Sequence, residues 1–301
     1  MKGVFGFFLG ISTFCLFITN TLFWCLPLTV FAFFKLIIPI NAVRELITSI
    51  VNRIALNWTS VNNFFIKLLL PTRWIVNGLQ ENIEGWDRSK NYLVIANHCS
   101  AVDIVALQMV FNNKIPFFRF FLKKELIWVP FLGLAWWALD YPFMKRYSRE
   151  FLANNPEMRG KDLDITRKAC AKYQNSPVSI MNFPEGTRFT TVKHARQNSS
   201  YKYLLNPKAG GVGYVLSAMG DNIHKILNVT LVYPGGIPGF ASFFSGKIGK
   251  VVIDIEEIPV TEDIIGDYLN DDIFRKDFQQ KINRLWRDKD NKIEDLLVLH
   301  S

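Results

Sequence analysis

The N-terminal segment places the strongest constraint on how this chain can fold. Gly3 to Phe34 contains no charged residue over 32 positions. A straight helix of that length would be roughly 48 Å long, which exceeds the ~30 Å hydrocarbon core of a bilayer. Asn20, Thr21 and Pro27 provide points for a break. The segment therefore predicts two short helices in a re-entrant or interfacial hairpin, with a tilted or kinked single span as the alternative.

A cleaved secretory signal peptide is another explanation of an apolar N-terminus. The run here is about twice the usual 7 to 15 residues of a signal sequence, which disfavours cleavage. Cys15 and Cys25 lie inside the segment, while Cys99 and Cys170 lie far apart in the remainder. No CxxC pair and no Cys/His metal spacing occurs, so we expect reduced thiols and no metal site.

Residues 41–70 have the pattern of an amphipathic helix. Apolar residues recur near helical spacing, with Arg44, Glu45 and Arg53 on the other side. Core packing and membrane contact both explain such a pattern, and the position directly after the apolar segment favours the membrane interface. We therefore divide the chain into a hydrophobic membrane anchor at 1–40, an amphipathic interfacial helix region at 41–72 and a folded domain at 73–301.

From about Trp74 onward, short apolar runs alternate with helical stretches. The predicted strands are Tyr92–Ala96, Ile115–Leu122, Val178–Phe183, Ile226–Tyr233 and Lys250–Ile255. The predicted helices are Ala101–Phe111, Asp162–Tyr173, Ala209–Met219 and Asp272–Arg287. This alternation predicts an α/β domain with a mixed, mostly parallel sheet flanked by helices.

The formal net charge of +9 favours anionic partners, among which nucleic acid and an acidic membrane surface both qualify. The aromatic residues cluster in apolar runs and do not alternate with Lys and Arg, and no RNA-binding or zinc-finger pattern is present. We therefore expect a phospholipid bilayer as partner and no nucleic acid.

One polar group stands where the first buried strand meets the next helix. His98 follows Asn97 at the end of the strand, and Asp103 lies five residues later. Ser100 and Asp103 have the spacing of a capping box, which alone would explain the Asp. If His98 lies in the turn before the helix, its ring can also fold back to meet Asp103. The carboxylate would then bind one ring nitrogen and leave the other as a base.

A second polar group follows another predicted strand. Glu185, Gly186, Thr187 and Arg188 form the stretch after Pro184. A turn is the simplest interpretation, yet a carboxylate, a small residue, a hydroxyl and a guanidinium also suit a polyol phosphate.

The two blocks, N97-H98-x4-D103 and F183-P184-E185-G186-T187-R188, together resemble the 1-acylglycerol-3-phosphate acyltransferase superfamily. The resemblance covers roughly residues 75–235. Pro142–Arg146 looks like the second block of the family, although Asp140 stands where the family has Gly, and Leu231–Pro234 approximates the fourth. Lys193–Gly211 is similar to the branch that contains lysocardiolipin and other lysophospholipid acyltransferases.

The resemblance implies acyl transfer from a thioester to the free hydroxyl of lysophosphatidic acid or a related lysophospholipid. His98 would be the general base and Asp103 its orienting carboxylate. The other implied or candidate substrate-binding residues are Arg146, Glu185, Gly186, Thr187, Arg188 and Lys208. No cofactor is expected, because acyl-CoA or acyl-carrier protein enters as co-substrate. The thiol of Cys99 is disfavoured as a nucleophile, since nothing in the sequence would lower its pKa.

Two other functions are compatible with parts of this pattern. A lipid esterase or lysophospholipase would share the substrates, but the GxSxG serine motif is absent. A non-catalytic membrane adaptor would also explain the charge and the aromatic content. For an acyltransferase we expect membrane association with the catalytic domain on the cytoplasmic side, because the acyl donors are cytosolic; in a bacterium this would be the inner membrane.

Overall fold

The structure is a computed structural model that describes residues 2–78, 86–144, 154, 166–168, 170, 173 and 177–301. The α-helices are α1 Lys2–Ile37, α2 Asn41–Leu69, α3 Val102–Phe111, α4 Leu132–Ala138, α5 Thr191–Arg196, α6 Gly210–Met219, α7 Phe240–Phe244 and α8 Asp272–His300. The strands are β1 Arg73–Asn77, β2 Asn91–Ala96, β3 Phe118–Phe120, β4 Leu122–Lys123, β5 Phe143–Met144, β6 Ser179–Asn182, β7 Ile223–Val232 and β8 Lys250–Ile258. Short 3₁₀ helices cover Lys124–Trp128, Gly220–Asn222 and Glu262–Ile264.

The described strands form one six-stranded sheet and one small pair. The order in the large sheet is β1-β8-β7-β2-β6-β3, and β4 pairs with β5. All neighbours in the large sheet are parallel except β7 and β8, which are antiparallel. The predicted mixed, mostly parallel sheet is confirmed. Because β2 and β6 are parallel neighbours, the loops after Ala96 and Asn182 leave the sheet at the same edge.

Helices cover both faces of this sheet. Alternate residues of β2 point to opposite sides, as expected for a strand buried on both faces. Tyr92 and Val94 pack in the cluster that contains α3, whereas Leu93 and Ile95 pack in the cluster that contains α6 and α8. The loop at the end of β2 therefore emerges between two well-packed layers.

The N-terminal segment forms one continuous helix, so the preferred expectation of two short helices is wrong. Pro27 lies inside α1 without ending it. Thirty-six residues correspond to about 54 Å, and the stretch Val4–Ile37 is long and apolar enough to cross a membrane by length and composition. Only a narrow face is buried, and large apolar side chains such as Phe5 and Leu26 are about 70% exposed.

The hairpin of the structure is instead made by α1 and α2 together. The two helices are antiparallel, and a buried polar contact joins them where Asn20 Nδ2 donates to Asn62 Oδ1 at 2.8 Å and to the Trp58 carbonyl at 3.0 Å. Near the turn, Lys35 Nζ lies 2.6 Å from Asp140 Oδ2. The apolar face of α2 is buried in this packing, which favours the core alternative over a purely interfacial helix.

Several other elements differ from the sequence prediction, and the short helices α4, α5 and α7 were not predicted. The predicted strand Ile115–Leu122 is split, because the chain leaves the large sheet after β3 and pairs as β4 with β5. Strand β1 was missed. Helix α8 continues past Arg287 to His300. Its apolar pattern is interrupted in the sequence by Lys289, which is buried in the core. The predicted helix Asp162–Tyr173 lies mostly outside the described residues.

Candidate active site

The loop between β2 and α3 brings the predicted His and Asp into contact. His98 Nδ1 lies 2.8 Å from Asp103 Oδ2. The imidazole is 17% exposed, whereas the Asp103 side chain is fully buried. His98 lies before the first turn of α3 and its ring folds back over it, as the sequence analysis predicts. The second ring nitrogen, Nε2, is left for another partner.

Several donors hold the Asp103 carboxylate in place. Oδ2 accepts the backbone N–H groups of Cys99 at 2.7 Å and Ser100 at 2.8 Å. Oδ1 accepts the hydroxyl of Tyr233 at 2.6 Å. The bond to the Ser100 N–H is the return bond of the predicted capping box, while Ser100 Oγ accepts the Val102 N–H at 3.0 Å. With these donors directed at the carboxylate, Nδ1 of His98 carries the proton and donates.

Tyr233 was not among the predicted site residues. It ends the apolar run of β7, and the sequence alone does not show that its hydroxyl turns into the adjacent loop. Burial, and the neighbouring Asp103 carboxylate, raise the pKa of this phenol above its ordinary value. The hydroxyl therefore stays protonated and remains a donor to Asp103.

Three further hydrogen bonds tie the loop to its surroundings. The side-chain amide of Asn97 is paired in both directions with the backbone of Leu231, with Leu231 N–H donating at 2.8 Å and the Leu231 carbonyl accepting at 2.9 Å. Ser100 Oγ donates to the carbonyl of Pro238 at 2.5 Å. Asn97 thus continues the β2–β7 pairing by one residue past the strand, and the chain turns there.

The ring of Phe183 lies flat against the His98 imidazole. Their centroids are 4.0 Å apart and the planes differ by 17°. Phe183 follows β6, the parallel neighbour of β2, so the fold brings the two rings to the same edge. This contact restricts rotation of the imidazole, and only the strand pairing reveals it.

Glu185 holds the backbone of two loops in this structure. Oε1 accepts the backbone N–H of His98 at 2.9 Å, and Oε2 accepts the backbone N–H of Leu205 at 3.0 Å. The residue is 1% exposed. Both oxygens of this predicted substrate-binding residue therefore bond to backbone, and a contact with substrate stays a prediction.

Burial raises the pKa of Glu185 to about 7, although the two N–H donors act in the opposite direction. Lys289 of α8 is a nearby buried cation whose charge favours the ionised carboxylate. Its Nζ donates to the Val229 carbonyl at 2.6 Å and lies 3.3 Å from Thr230 Oγ1. Burial lowers the pKa of Lys289 to about 7. The burial of Lys289 was not predicted, since a lysine in a helix usually points to solvent.

The other residues of the Glu185 block form an exposed turn beside His98. Gly186 has φ of +68°, a left-handed conformation that favours glycine. Arg188 is exposed, and the next residue, Phe189, donates its N–H to the His98 carbonyl at 2.7 Å. The structure therefore brings this predicted turn to the His98 loop.

Two lysines add positive charge to this turn. Lys193 Nζ donates to Thr187 Oγ1 at 2.7 Å and to the Arg188 carbonyl at 2.9 Å. It was missed because it belongs to α5, five residues beyond the block. Lys208 is exposed, and its Nζ would lie 4.0 Å from a Cβ built on Gly186. The predicted cation at Lys208 is thus next to the turn.

The predicted second block is only partly described. Arg146 lies outside the described residues, so its place at a phosphate stays a prediction. Asp140, which replaces a family glycine, has φ of 58°. The backbone therefore adopts at this position the left-handed conformation for which glycine is usual.

The thiol of Cys99 is a poor nucleophile. Burial and the neighbouring carboxylates of Asp103 and Glu185 raise its pKa far above the ordinary value. The thiolate that nucleophilic attack requires is therefore scarce. Among the described residues, no cluster of three or more His, Cys, Asp or Glu side chains could hold a metal ion.

An apolar groove lies between α1 and the domain. Its volume is about 950 Å³. The first turns of α3 line one side with Ala101, Ile104 and Val105, while Phe14 and Ile18 of α1 line another. Ala101, which is three residues after His98 in the sequence, lines the groove, whereas His98 itself does not.

Comparison with known proteins agrees with this architecture. The sequence model of the acyltransferase family matches residues 78–234. The chain is 23% identical over 201 residues to lysocardiolipin acyltransferase 1 of Gallus gallus, covering 63% of this chain and 50% of that protein. It is 26% identical over 179 residues to 1-acyl-sn-glycerol-3-phosphate acyltransferase gamma of Homo sapiens, covering 56% and 43%.

The chain thus spans about half the length of the curated relatives it matches. The crystal structure of the 1-acyl-sn-glycerophosphate acyltransferase PlsC from Thermotoga maritima superimposes with a TM-score of 0.52 at 16% identity, covering 98% of both chains. That likeness supports the fold. Because the family model covers more than half of the residues, and His98, Asp103 and Glu185 meet at one edge of the sheet, this chain belongs to the acyltransferase family.

Proposed function

We propose that the protein transfers a fatty acyl group from a thioester donor to the free hydroxyl of a lysophospholipid, with lysophosphatidic acid as the first acceptor to test. The main support is the contact between His98 and Asp103, in a loop whose backbone N–H at His98 bonds to Glu185. Membership of the acyltransferase family and the names of the matched relatives point to the same substrate class.

Proton transfer is the task of His98 in this reaction. Nδ1–H donates to Asp103, so Nε2 accepts the proton of the acceptor hydroxyl as the oxygen attacks the thioester carbonyl. The resulting tetrahedral intermediate expels the thiolate, which takes the proton from Nε2. Asp103 stabilises the imidazolium in between, as in hydrolytic triads. The thioester is already activated, so no acyl-enzyme intermediate is needed.

The turn at Arg188 is proposed to bind the phosphate of the acceptor. The guanidinium of Arg188 is exposed. The next residue, Phe189, donates its backbone N–H to the His98 carbonyl. A planar guanidinium suits the bidentate geometry of phosphate oxygens. Lys193 and Lys208 would add positive charge around the same turn, and Arg146 remains a further candidate from the sequence.

The acyl chain is proposed to lie in the apolar groove between α1 and α3. A volume of about 950 Å³ and an apolar lining are suitable for a hydrocarbon chain. Since the exposed face of α1 is also apolar, a chain could pass between the groove and a bilayer without crossing water. The donor would be acyl-CoA or acyl-carrier protein, which places the catalytic domain on the cytosolic side.

The test is an assay of the purified full-length chain in detergent micelles with lysophosphatidic acid and labelled acyl-CoA. We expect labelled diacyl product from the native protein and none from His98→Ala. Cys99→Ala is the matched control, because it changes the adjacent side chain and should retain transfer. Labelled free fatty acid without diacyl product would instead support the lipid esterase. Transfer by His98→Ala at the native rate would contradict the proposed base.

A further inference from the structure

A second cavity lies at the opposite end of the sheet from His98. It has a volume of about 560 Å³ and is enclosed by the first half of α2, the edge strand β3 and the residues before β6. Val178 lines it just before β6 begins, whereas the His98 loop follows the end of β2. Because β2 and β6 are parallel, the two sites are separated by the length of these strands.

The lining of this cavity is strongly cationic. Four arginines contribute to it, Arg44, Arg53, Arg88 and Arg119. Lys35 and Asp140 also line it and pair with each other, which leaves Glu45 as the other carboxylate in the lining. The described lining therefore has an excess of three positive charges. Within the described part of the chain, no carboxylate lies within ion-pair distance of any of the four guanidinium groups.

Arg119 is the most informative of the four, because it is 5% exposed. One terminal nitrogen bonds to the Phe118 carbonyl at 3.2 Å and the other to Asn52 Oδ1. Among the described residues, its Nε has no hydrogen-bond partner. The ring of Tyr141 lies 5.3 Å away, but burial raises the pKa of this phenol to about 12, so it supplies no negative charge. A buried cation without a counter-charge is costly, and a bound anion would offset that cost.

The start of α2 adds a second feature that favours an anion. Asn41, its first residue, lines the cavity. The preceding Ile40 provides no side-chain cap, and the first turn contains no acidic residue. In the part of the chain that the structure describes, no side chain caps this 29-residue helix, so its first N–H groups and the positive end of its dipole lie next to the arginines. Guanidinium groups at a helix N-terminus are typical of phosphate sites.

The surroundings of the cavity indicate which phosphate compound it would take. Leu36, Ile37 and Ile40 at the α1–α2 turn and Leu46 in α2 are more than half exposed. These apolar side chains flank Asn41 and Arg44 at the cavity. Such an arrangement suits a molecule with a phosphate head and hydrocarbon chains. It also continues the exposed apolar face of α1.

We infer that this cavity is a second phosphate site, which binds the headgroup of an anionic membrane phospholipid separately from the reaction site. The bound headgroup would neutralise the arginines, while its chains lie along the apolar turn. Binding of a headgroup in this cavity does not require the proposed catalytic activity.

The experiment measures binding of the full-length protein to vesicles of phosphatidylcholine with and without phosphatidylglycerol at constant ionic strength. Arg44→Gln should weaken binding to the anionic vesicles by about 10-fold or more, because a charge-assisted hydrogen bond is lost. Arg119→Met should do the same, and Arg88→Gln serves if Arg119→Met fails to fold. Lys276→Gln on the exposed side of α8 removes one charge elsewhere and is the matched control.

A parallel arm titrates inorganic phosphate and glycerol phosphate into each variant. If the arginine variants lose these soluble anions and keep native vesicle binding, the phosphate site stands but the lipid headgroup is wrong. Equal losses of vesicle binding in Arg44→Gln and Lys276→Gln would overturn the site, because they indicate general surface charge. Unchanged binding of every probe by all arginine variants would overturn it as well.

Discussion

The position of the His98 imidazole depends on three separate contacts. Asp103 holds Nδ1, Phe183 covers one face of the ring, and Glu185 binds the backbone N–H. Asp103 comes from the segment that contains His98, whereas Phe183 and Glu185 belong to one block about 80 residues later. The ring therefore has little freedom to turn, which suits the proposed role of His98 as a general base.

Removing the hydroxyl of Tyr233 tests whether this residue helps to position His98 through Asp103. Tyr233→Phe removes the bond to Asp103 Oδ1 and keeps the ring. A hydrogen bond to a charged group contributes about 1.5–3 kcal/mol, so we expect kcat to fall roughly 10-fold with little change in KM. Steady-state kinetics give the result. Tyr203→Phe, whose hydroxyl has no contact with the His98–Asp103 pair, is the control, and an equal loss in both variants would contradict this role.

Arg188→Ala addresses the acceptor phosphate. We expect the KM for the phosphate-bearing lysolipid to rise about 10-fold or more, with little change for acyl-CoA, because we propose that the guanidinium binds the acceptor phosphate. Arg196→Ala, an exposed arginine on α5, provides the control for the loss of one charge. A rise limited to the KM of acyl-CoA would show that Arg188 serves the donor.

Removing Lys289 and removing Glu185 should change the pH dependence of the free energy of unfolding in opposite directions. In Lys289→Met, burial still raises the pKa of Glu185 and the Lys289 charge that lowered it is gone, so stability is greatest below the ordinary pKa of Glu185 and is lost as pH rises through the raised pKa. In Glu185→Gln, burial still lowers the pKa of Lys289 and the Glu185 charge that raised it is gone, so stability is greatest above the ordinary pKa of Lys289 and is lost as pH falls through the lowered pKa.

Thermal unfolding of both variants between pH 5 and 9 measures these slopes. Asp254, Glu256 and Lys292 also surround Lys289 and are unchanged in both variants. Lys276→Met, on the exposed side of the same helix, should retain the native profile. Slopes of the same sign in the two variants would mean that the pair does not titrate as described.

At the level of elements, α1 forms part of the groove as well as an apolar surface. Ile18→Trp should fill the groove and lower transfer from long-chain donors by roughly 10-fold or more relative to short-chain donors, since several methylenes lose their contact. Leu26→Trp lies on the exposed face of the same helix and should leave the ratio unchanged. Rates with donors of several chain lengths measure the ratio, and equal ratios in both variants would exclude the groove as the chain site.

Periodicity predicted most of the central elements. Strand β2 and helix α3 begin and end within one residue of prediction, because their apolar runs are bounded by polar residues. The continuity of α1 could not be read from the sequence, since Pro27 is tolerated where α2 and α4 support the helix. Similarly, α8 continues through Lys289 because a strand carbonyl accepts a hydrogen bond from its ammonium group. This contact depends on tertiary packing.

The candidate site was predictable where its residues are close in sequence. His98 and Asp103 are joined by one turn, so spacing alone indicated their contact. Tyr233 and Phe183 reach the site through strand pairing, and the sequence does not reveal that both oxygens of Glu185 bond to backbone. Motif analysis thus identifies the reactive group more readily than the residues that position it.

At the scale of the whole molecule, apolar and basic surfaces are combined. The protein has a net charge of +9 and one helix with an exposed apolar face. Leu22→Glu together with Leu26→Glu should lower vesicle binding by about 100-fold, because two leucines lose their burial in lipid. Val298→Glu on α8 is the control. Unchanged vesicle binding in the double variant would show that this face of α1 does not contact the membrane.

The close packing of α1 against the domain also affects how a soluble fragment could be prepared. Leu28 and Ala32 are buried with α4, Phe17 packs on Phe243, and Phe14 and Ile18 form a wall of the groove. A truncation at residue 40 would remove that wall and expose apolar surface on the remaining domain. The leading helix is therefore an integral part of the folded domain, and deleting it to improve solubility would have the reverse effect.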